Sequence, residues 1–152
     1  MTANDMSVFA ENRKARFDYE TLDTFDAGLV LTGFETKAVR EGGASLTGSY
    51  LSFDRGELWL INARISPYSK MGKKDLADPL RRRKVLMRKE ELVKIFGKIQ
   101  QKGLTLIPIS LYPRGRQIKL SFGLCRGKHA HDKREAIKRR DLDRELRKSD
   151  IY

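Results

Sequence analysis

Apolar side chains recur along the chain at two spacings, one near two residues and one near three and a half, and the switches between them predict the element order. Tyr19, Leu22, Phe25, Leu29, Val30 and Leu31 predict a strand over 19–31. Gly28 within it marks a bulge or a close backbone approach. Between Gly33 and Gly43, Phe34, Ala38 and Val39 stand at helical spacing, and Gly42-Gly43 follows where a C-terminal cap belongs. Residues 48–65 read as a hairpin, with Tyr50, Leu51 and Phe53 before the turn Asp54-Arg55-Gly56-Glu57 and Leu58-Trp59-Leu60-Ile61 after it. Residues 66–84, holding Pro67 and Pro79, read as a basic loop. Residues 89–102 place Leu92, Val93, Ile95, Phe96 and Ile99 in one helical stripe, and Gly103 closes it. A second hairpin spans 104–125. Ile107, Ile109 and Leu111 alternate on one arm and Ile118, Leu120, Phe122 and Leu124 on the other, around Pro113-Arg114-Gly115-Arg116. Pro108 removes a ladder donor, so that arm is expected to be bulged or at an edge.

This order of strand, short helix, hairpin, loop, longer helix and hairpin predicts a mainly β fold with flanking helices. About six strands suit a small closed barrel of OB-fold type better than a doubly wound sheet, since closure removes exposed edges. The barrel is assigned to 1–127. Residues 1–17 read as a polar arm, of which 1–11 are set off within the barrel unit. Residues 128–152 form a basic tail whose apolar residues Ile137, Leu142, Leu146, Ile151 and Tyr152 drift off any single face. Glu135 with Arg139 and Asp143 with Arg147 are i,i+4 pairs worth only about 0.2–0.5 kcal/mol each. The tail is therefore expected to be disordered in the free protein and helical against a polyanion.

Charge sharpens the reading. The 152 residues include 32 Lys+Arg against 20 Asp+Glu, a net charge of +12. Residues 70–89 hold nine bases opposed only by Asp75 and Asp78; a further cluster is Arg13, Lys14 and Arg16, and the tail is the third. Such clustering points to a polyanionic partner, nucleic acid ahead of a membrane surface. One cysteine, Cys125, excludes a disulfide scaffold. No apolar run approaches the roughly 20 residues of a membrane helix, and the first residues show no signal-peptide pattern. A cytoplasmic setting is expected.

The residues offer little for an active site. Cys125, His129 and His131 offer a C-x3-H-x-H spacing without a fourth ligand, so no metal or other cofactor is expected. The two histidines beside Lys128 and Lys133 suggest general acid–base cleavage of RNA, but nothing rigid supports them. Phosphate-cradling glycine loops and nucleophile elbows are missing. Asp26 and Glu35 could form a catalytic pair. In so basic a chain, carboxylates accepting hydrogen bonds from an RNA base or ribose fit better. No enzyme is expected.

Several runs, taken in order, resemble a known family: Asn12-Arg13-Lys14-Ala15-Arg16, Phe25-Asp26-Ala27-Gly28, Gly33-Phe34-Glu35-Thr36-Lys37-Ala38-Val39-Arg40 and Ser49-Tyr50. Asp78-Pro79-Leu80-Arg81, Arg83-Lys84, Lys102-Gly103-Leu104-Thr105, Gly127-Lys128 and Asp132-Lys133-Arg134 continue the pattern. Across residues 9–148 the chain is similar to the bacterial SsrA-binding proteins, the SmpB family. The resemblance implies an OB-fold-like barrel that binds the tRNA-like domain of transfer-messenger RNA (tmRNA) and delivers it to stalled ribosomes for trans-translation. It implies a protein body occupying the place of the missing anticodon arm, as a monomer, and a tail that probes the empty messenger channel of the small subunit. The RNA-facing positions it implies are Asn12, Arg13, Arg16, Tyr19, Asp26, Glu35, Lys37, Arg40, Tyr50, Lys84 and Lys119. Those facing ribosomal RNA are Lys128, Asp132, Lys133, Arg134, Lys138, Arg139 and Arg140. Cations there would neutralise phosphates, and Tyr19 and Tyr50 would stack on unpaired bases. Core packing is the alternative for each tyrosine, and support of the short helix the alternative for Glu35. The chain departs from the family where Asp26 replaces the usual Glu, where Phe17 replaces a frequent His, and along 68–77, to which no role is carried over. A general OB-fold RNA-binding or ribosome-associated protein is the competing expectation.

Overall fold

The computed structural model describes residues 8–73, 77–101 and 103–128. Its longest ladder joins β8 (Leu104–Arg114) to β9 (Gln117–Gly127), the second predicted hairpin. β9 also pairs with β2 (Tyr19–Leu29), β2 with β7 (Arg83–Leu86), β7 with β5 (Glu57–Ile61), and β5 with β4 (Tyr50–Asp54). β4 then returns to β8 through Leu51 opposite Leu106. Six antiparallel strands thus pair in a cycle. β1 (Ala10–Glu11) lies along β8, and β3 (Ala44–Ser45) pairs with β6 (Arg64–Ile65) apart from it. The protein is mainly β, and among the described residues there are three helices: α1 (Arg13–Asp18), α2 (Gly33–Arg40) and α3 (Lys89–Ile99). Among the described residues, no helix is long and apolar enough to cross a membrane.

All six strands feed one core, through Ala27, Leu51, Leu58, Leu60, Val85, Leu106, Leu111, Leu120 and Phe122. α2 adds Ala38 and Val39, and α3 adds Ile95. The period-two pattern explains β9: Ile118, Leu120 and Phe122 are buried while Lys119 and Ser121 are not. Of the α3 stripe, only Ile95 is fully buried; Val93 is exposed, and Phe96 packs edge-on against Phe53 at 5.2 Å.

The turns behave as their residues demand. Arg55 and Gly56 both take positive φ, 53° and 80°, which a two-residue hairpin turn of the primed type requires. The α2 start is a capping box: Thr32 accepts from the Glu35 amide, and the Glu35 carboxylate accepts from the Thr32 amide. Gly42, at φ 91°, follows its end.

Three expectations are corrected. The slip in β2 lies between Thr21 and Asp23, not at Gly28, which pairs in register with both Leu86 and Lys119. The slip faces Gly123, where a Cβ would stand 2.9 Å from Thr21 Cγ2 and 3.3 Å from the Asp23 carbonyl. Pro108 does carry a bulge, between Pro108 and Ser110. The basic loop 66–84 ends in a strand, β7. Its two inward residues are Arg83 and Val85, and a charged residue at a core position hides the alternation. Finally, 1–17 is not wholly an arm: β1 and α1 occupy 10–18. α1 buries no residue, so no apolar face announces it.

Candidate nucleic-acid interface

Asn12 sets the first group of candidate residues. It is 3% exposed, caps α1 by accepting from the Ala15 amide, and donates from Nδ2 to the Pro108 carbonyl at 2.9 Å. Its side chain is therefore committed to holding α1 on the β8 bulge, whose displaced carbonyl it satisfies. From that anchor, Arg13 and Arg16 extend into solvent, their side chains 87% and 66% exposed. Both bond to Glu11, at 3.2 and 3.1 Å. Exposed pairs of this kind hold by less than about 1 kcal/mol, so either arginine is free to exchange Glu11 for a phosphate. Behind them Lys14, Tyr19, Ser49 and Tyr50 line a cleft of about 300 Å³. Tyr19 is half-buried, and Tyr50, at the head of β4, is exposed. Neither belongs to the hydrophobic core.

A second group sits on β2, β8 and β9. Asp26 lies opposite Ser121, and its carboxylate accepts from the Tyr112 hydroxyl at 2.8 Å. Burial and then this hydrogen bond push the Tyr112 phenol up to about 12. Lys119 stands between Gly28 and Tyr112 in the ladder and shares a cleft of about 280 Å³ with Gly28, Leu86 and Arg116. Arg40, on α2, donates to the Arg116 carbonyl at 2.6 Å and lies over the Phe9 ring at 5.6 Å.

Glu35 centres the third group. One carboxylate oxygen accepts from Arg83 Nε and Nη2, at 2.9 and 2.6 Å. Arg81 bonds to both oxygens. Arg83 is fully buried, and all five of its N–H donors have acceptors: Glu35 and the carbonyls of Ala63, Pro79 and Asp78. Burial works against the Glu35 charge, yet Arg81, the Thr32 amide and Arg83 outweigh it and hold the carboxyl below its ordinary value. Glu35 thus joins α2 to the start of β7. Support of the short helix, the alternative reading, is what its contacts show. Nearby, Lys37 is exposed with its ammonium 5.8 and 5.6 Å from the Phe34 and Tyr68 ring centres. Lys84 pairs with Glu57 at 2.5 Å.

The structure does not gather the candidates into one pocket. Asn12, Tyr19 and Tyr50 share a cleft; Asp26 and Lys119 share a strand face; Glu35 lies with Arg81 and Arg83. Asp26 and Glu35 have no common partner, so the geometry makes no carboxylate pair of them. Sequence reasoning missed Arg81, Arg83 and Tyr112 as partners. Tyr112 was findable, since it alternates with buried Leu111. Cys125 is buried, its thiol pushed up by burial, against Thr21 Oγ1 at 3.6 Å. No group of three His, Cys, Asp or Glu among the described residues is placed to hold a metal ion. Lys128 is exposed, and its amide donates to the Asp18 carbonyl at 2.8 Å. His129, His131, Asp132, Lys133, Arg134, Lys138, Arg139 and Arg140, with the rest of the predicted tail, lie outside the described residues.

Known proteins resemble this chain along most of its length. The family model described as SmpB protein matches residues 9–150. An SsrA-binding protein of Coprothermobacter proteolyticus is 47% identical over 144 residues, covering 94% of this chain and 96% of its own. One of Thermosynechococcus vestitus is 44% identical over 146 residues, covering 96% of each. A solved structure described as "tmRNA-SmpB: a journey to the center of the bacterial ribosome" holds a chain 47% identical, with a TM-score of 0.69 over 85% of this chain and 94% of that one. By its sequence and by its fold, the chain belongs to the SmpB family.

Proposed function

We infer that this protein is an RNA-binding adaptor that grips the tRNA-like domain of transfer-messenger RNA and delivers it to stalled ribosomes for trans-translation. The observation that carries this reading is its 47% identity, across most of its length, to a chain solved in a tmRNA–SmpB structure of the bacterial ribosome. The site chemistry supports it. Two tyrosines line one cleft with Lys14, beside arginines that only surface pairs restrain. That combination suits unpaired bases on a phosphate backbone. Asp26 offers a carboxylate acceptor on the strand face that presents Lys119. Asn12 and Glu35 act as positioning residues, holding α1 and β7 where these cations are displayed.

The six-strand cycle is a closed barrel of OB-fold type, a common platform for nucleic acids. The chain works by binding rather than by catalysis, in the cytoplasm. The basic segment beyond Lys128 folds against ribosomal RNA in an empty messenger channel, so that messenger there excludes it.

Competition binding tests the reading. The purified chain should prefer the tRNA-like domain of tmRNA over unstructured RNA of equal length by far more than about tenfold, since shape and not charge alone is recognised. Equal affinities would point to a general RNA-binding or ribosome-associated protein. Cleavage of the RNA during incubation would instead point to a nuclease.

A further inference from the structure

α2 and the chain after β6 enclose a cleft of about 260 Å³ whose aromatic lining none of the roles above uses. Phe34, Ile65, Pro67, Tyr68 and Met71 line it, with Arg81. Phe34 is 47% exposed, too open for a core residue, and its ring stacks on Tyr68 at 6.2 Å and 26°. The Lys37 ammonium lies within 6 Å of both ring centres. The walls are fixed by hydrogen bonds rather than by depth of packing. The Ser66 amide donates to the Gly43 carbonyl at 2.8 Å, and the Ser69 amide and hydroxyl donate to Glu41 at 2.8 and 2.7 Å. Arg81 is held by Glu35. Glu35 and Asp78 line the cleft as well, but the Glu35 charge is matched by Arg81 and Arg83, which leaves Lys37 as the cation over the rings. A preset aromatic surface beside that ammonium matches a flat ring attached to a negative charge.

We propose that this cleft takes one unstacked nucleobase of the bound RNA, with its ring against Phe34 and Tyr68 and its phosphate on Lys37. The proposal rests on the RNA-binding reading. The volume lies below the roughly 300–1,000 Å³ of sites for drug-sized ligands, so a single ring system fits and a dinucleotide does not. On entry of the base, Lys37 moves from the ring faces to the phosphate, exchanging a weak cation–π contact for a charge-assisted one. Because stacking tolerates any base, the cleft adds grip more than sequence choice. It also gives a role to Tyr68, Met71 and Ala77, which line the cleft and belong to the stretch that departs from the family pattern.

The test uses the full chain and a transcript of the tRNA-like domain of tmRNA, with affinity measured over a salt series. Phe34→Leu keeps the apolar bulk and removes the ring. It should weaken binding roughly tenfold at every salt concentration, as loss of a stacked base does, and leave the salt slope unchanged. Phe34→Trp should bind as the unaltered chain does. Lys37→Gln should flatten the slope by about one unit. Independently, the ring resonances of Phe34 and Tyr68 in the unaltered chain should shift when the transcript is added. Unshifted rings, or a folded Phe34→Leu chain that binds the transcript as tightly as the unaltered one, would overturn the cleft and leave the RNA-binding reading standing. Failure of the unaltered chain to bind the transcript would remove both. A Phe34→Leu chain that keeps its RNA affinity but loses ribosome association would mean that the cleft docks a protein side chain, and would also overturn the proposal.

Discussion

Glu35 shows how much of a single side chain's role lies outside its neighbours in sequence. Beside Lys37 and Arg40 it looks like a polar contact for RNA, yet its carboxylate is spent on Thr32, Arg81 and Arg83. Thr32 is a local partner, but the two arginines lie more than forty residues away, and no local spacing reveals them. Removing the charge with Glu35→Gln leaves the fully buried Arg83 guanidinium without its counterion. A destabilisation of about 3–5 kcal/mol at neutral pH is expected. The pH dependence has a definite sign. Glu35 is held below its ordinary value of 4.5, so its contribution is complete above that value and is lost as pH falls through the depressed folded one. Denaturation of the two chains over an acid series should show the gap closing below about pH 4.5, and a gap independent of pH would refute the assignment.

At the next level up, elements were legible where a period ran unbroken. The 104–125 hairpin and α2 were predicted nearly to the residue because alternation, turn residues and cap all agreed. α1 and β7 were not. α1 has no buried face, and its cap depends on Asn12 reaching Pro108, a contact across 96 positions. β7 places an arginine inward. The β4–β5 turn illustrates a sequence that satisfies its geometry imperfectly: Arg55 adopts φ 53°, which costs a non-glycine residue strain. Arg55→Asn, giving Asn-Gly, should stabilise the protein by about 0.5–1 kcal/mol, seen as a higher melting temperature. The β2 slip offers the opposite case. Gly123→Ala puts a methyl against Thr21 and the Asp23 carbonyl and should destabilise by about 1–3 kcal/mol, with Gly28→Ala milder because its nearest neighbour is 3.5 Å away. Equal losses at the two glycines would count against the close approach as the cause.

For the molecule as a unit, the net charge is +12, and among the described residues the candidate cations stand on separate surfaces rather than in one cavity. Binding should accordingly be strongly salt-dependent. With about six phosphate contacts, log K should fall against log salt with a slope of about −4 to −5, and a slope near zero would exclude backbone recognition. The proposed division of labour makes a second prediction. The Lys128 amide is tied to Asp18, so the chain should be cut after Lys128 and not before it. That truncated chain should keep its affinity for the tRNA-like domain but fail to support tagging of stalled peptides. If truncation abolished RNA affinity as well, the body and the tail would not be separable functions.

Periodicity, turn residues and charge clusters were enough to read the β-rich class, most of the strands, both of the longer helices and a polyanionic partner. All of these follow from interactions between residues close in sequence, or from a simple sum over the chain. The motif order added the family. The closing of six strands into a cycle, the burial of Arg83 and the separation of the candidate residues into distinct clefts required the fold. Each depends on contacts between positions tens of residues apart, and such contacts leave no trace in local spacing.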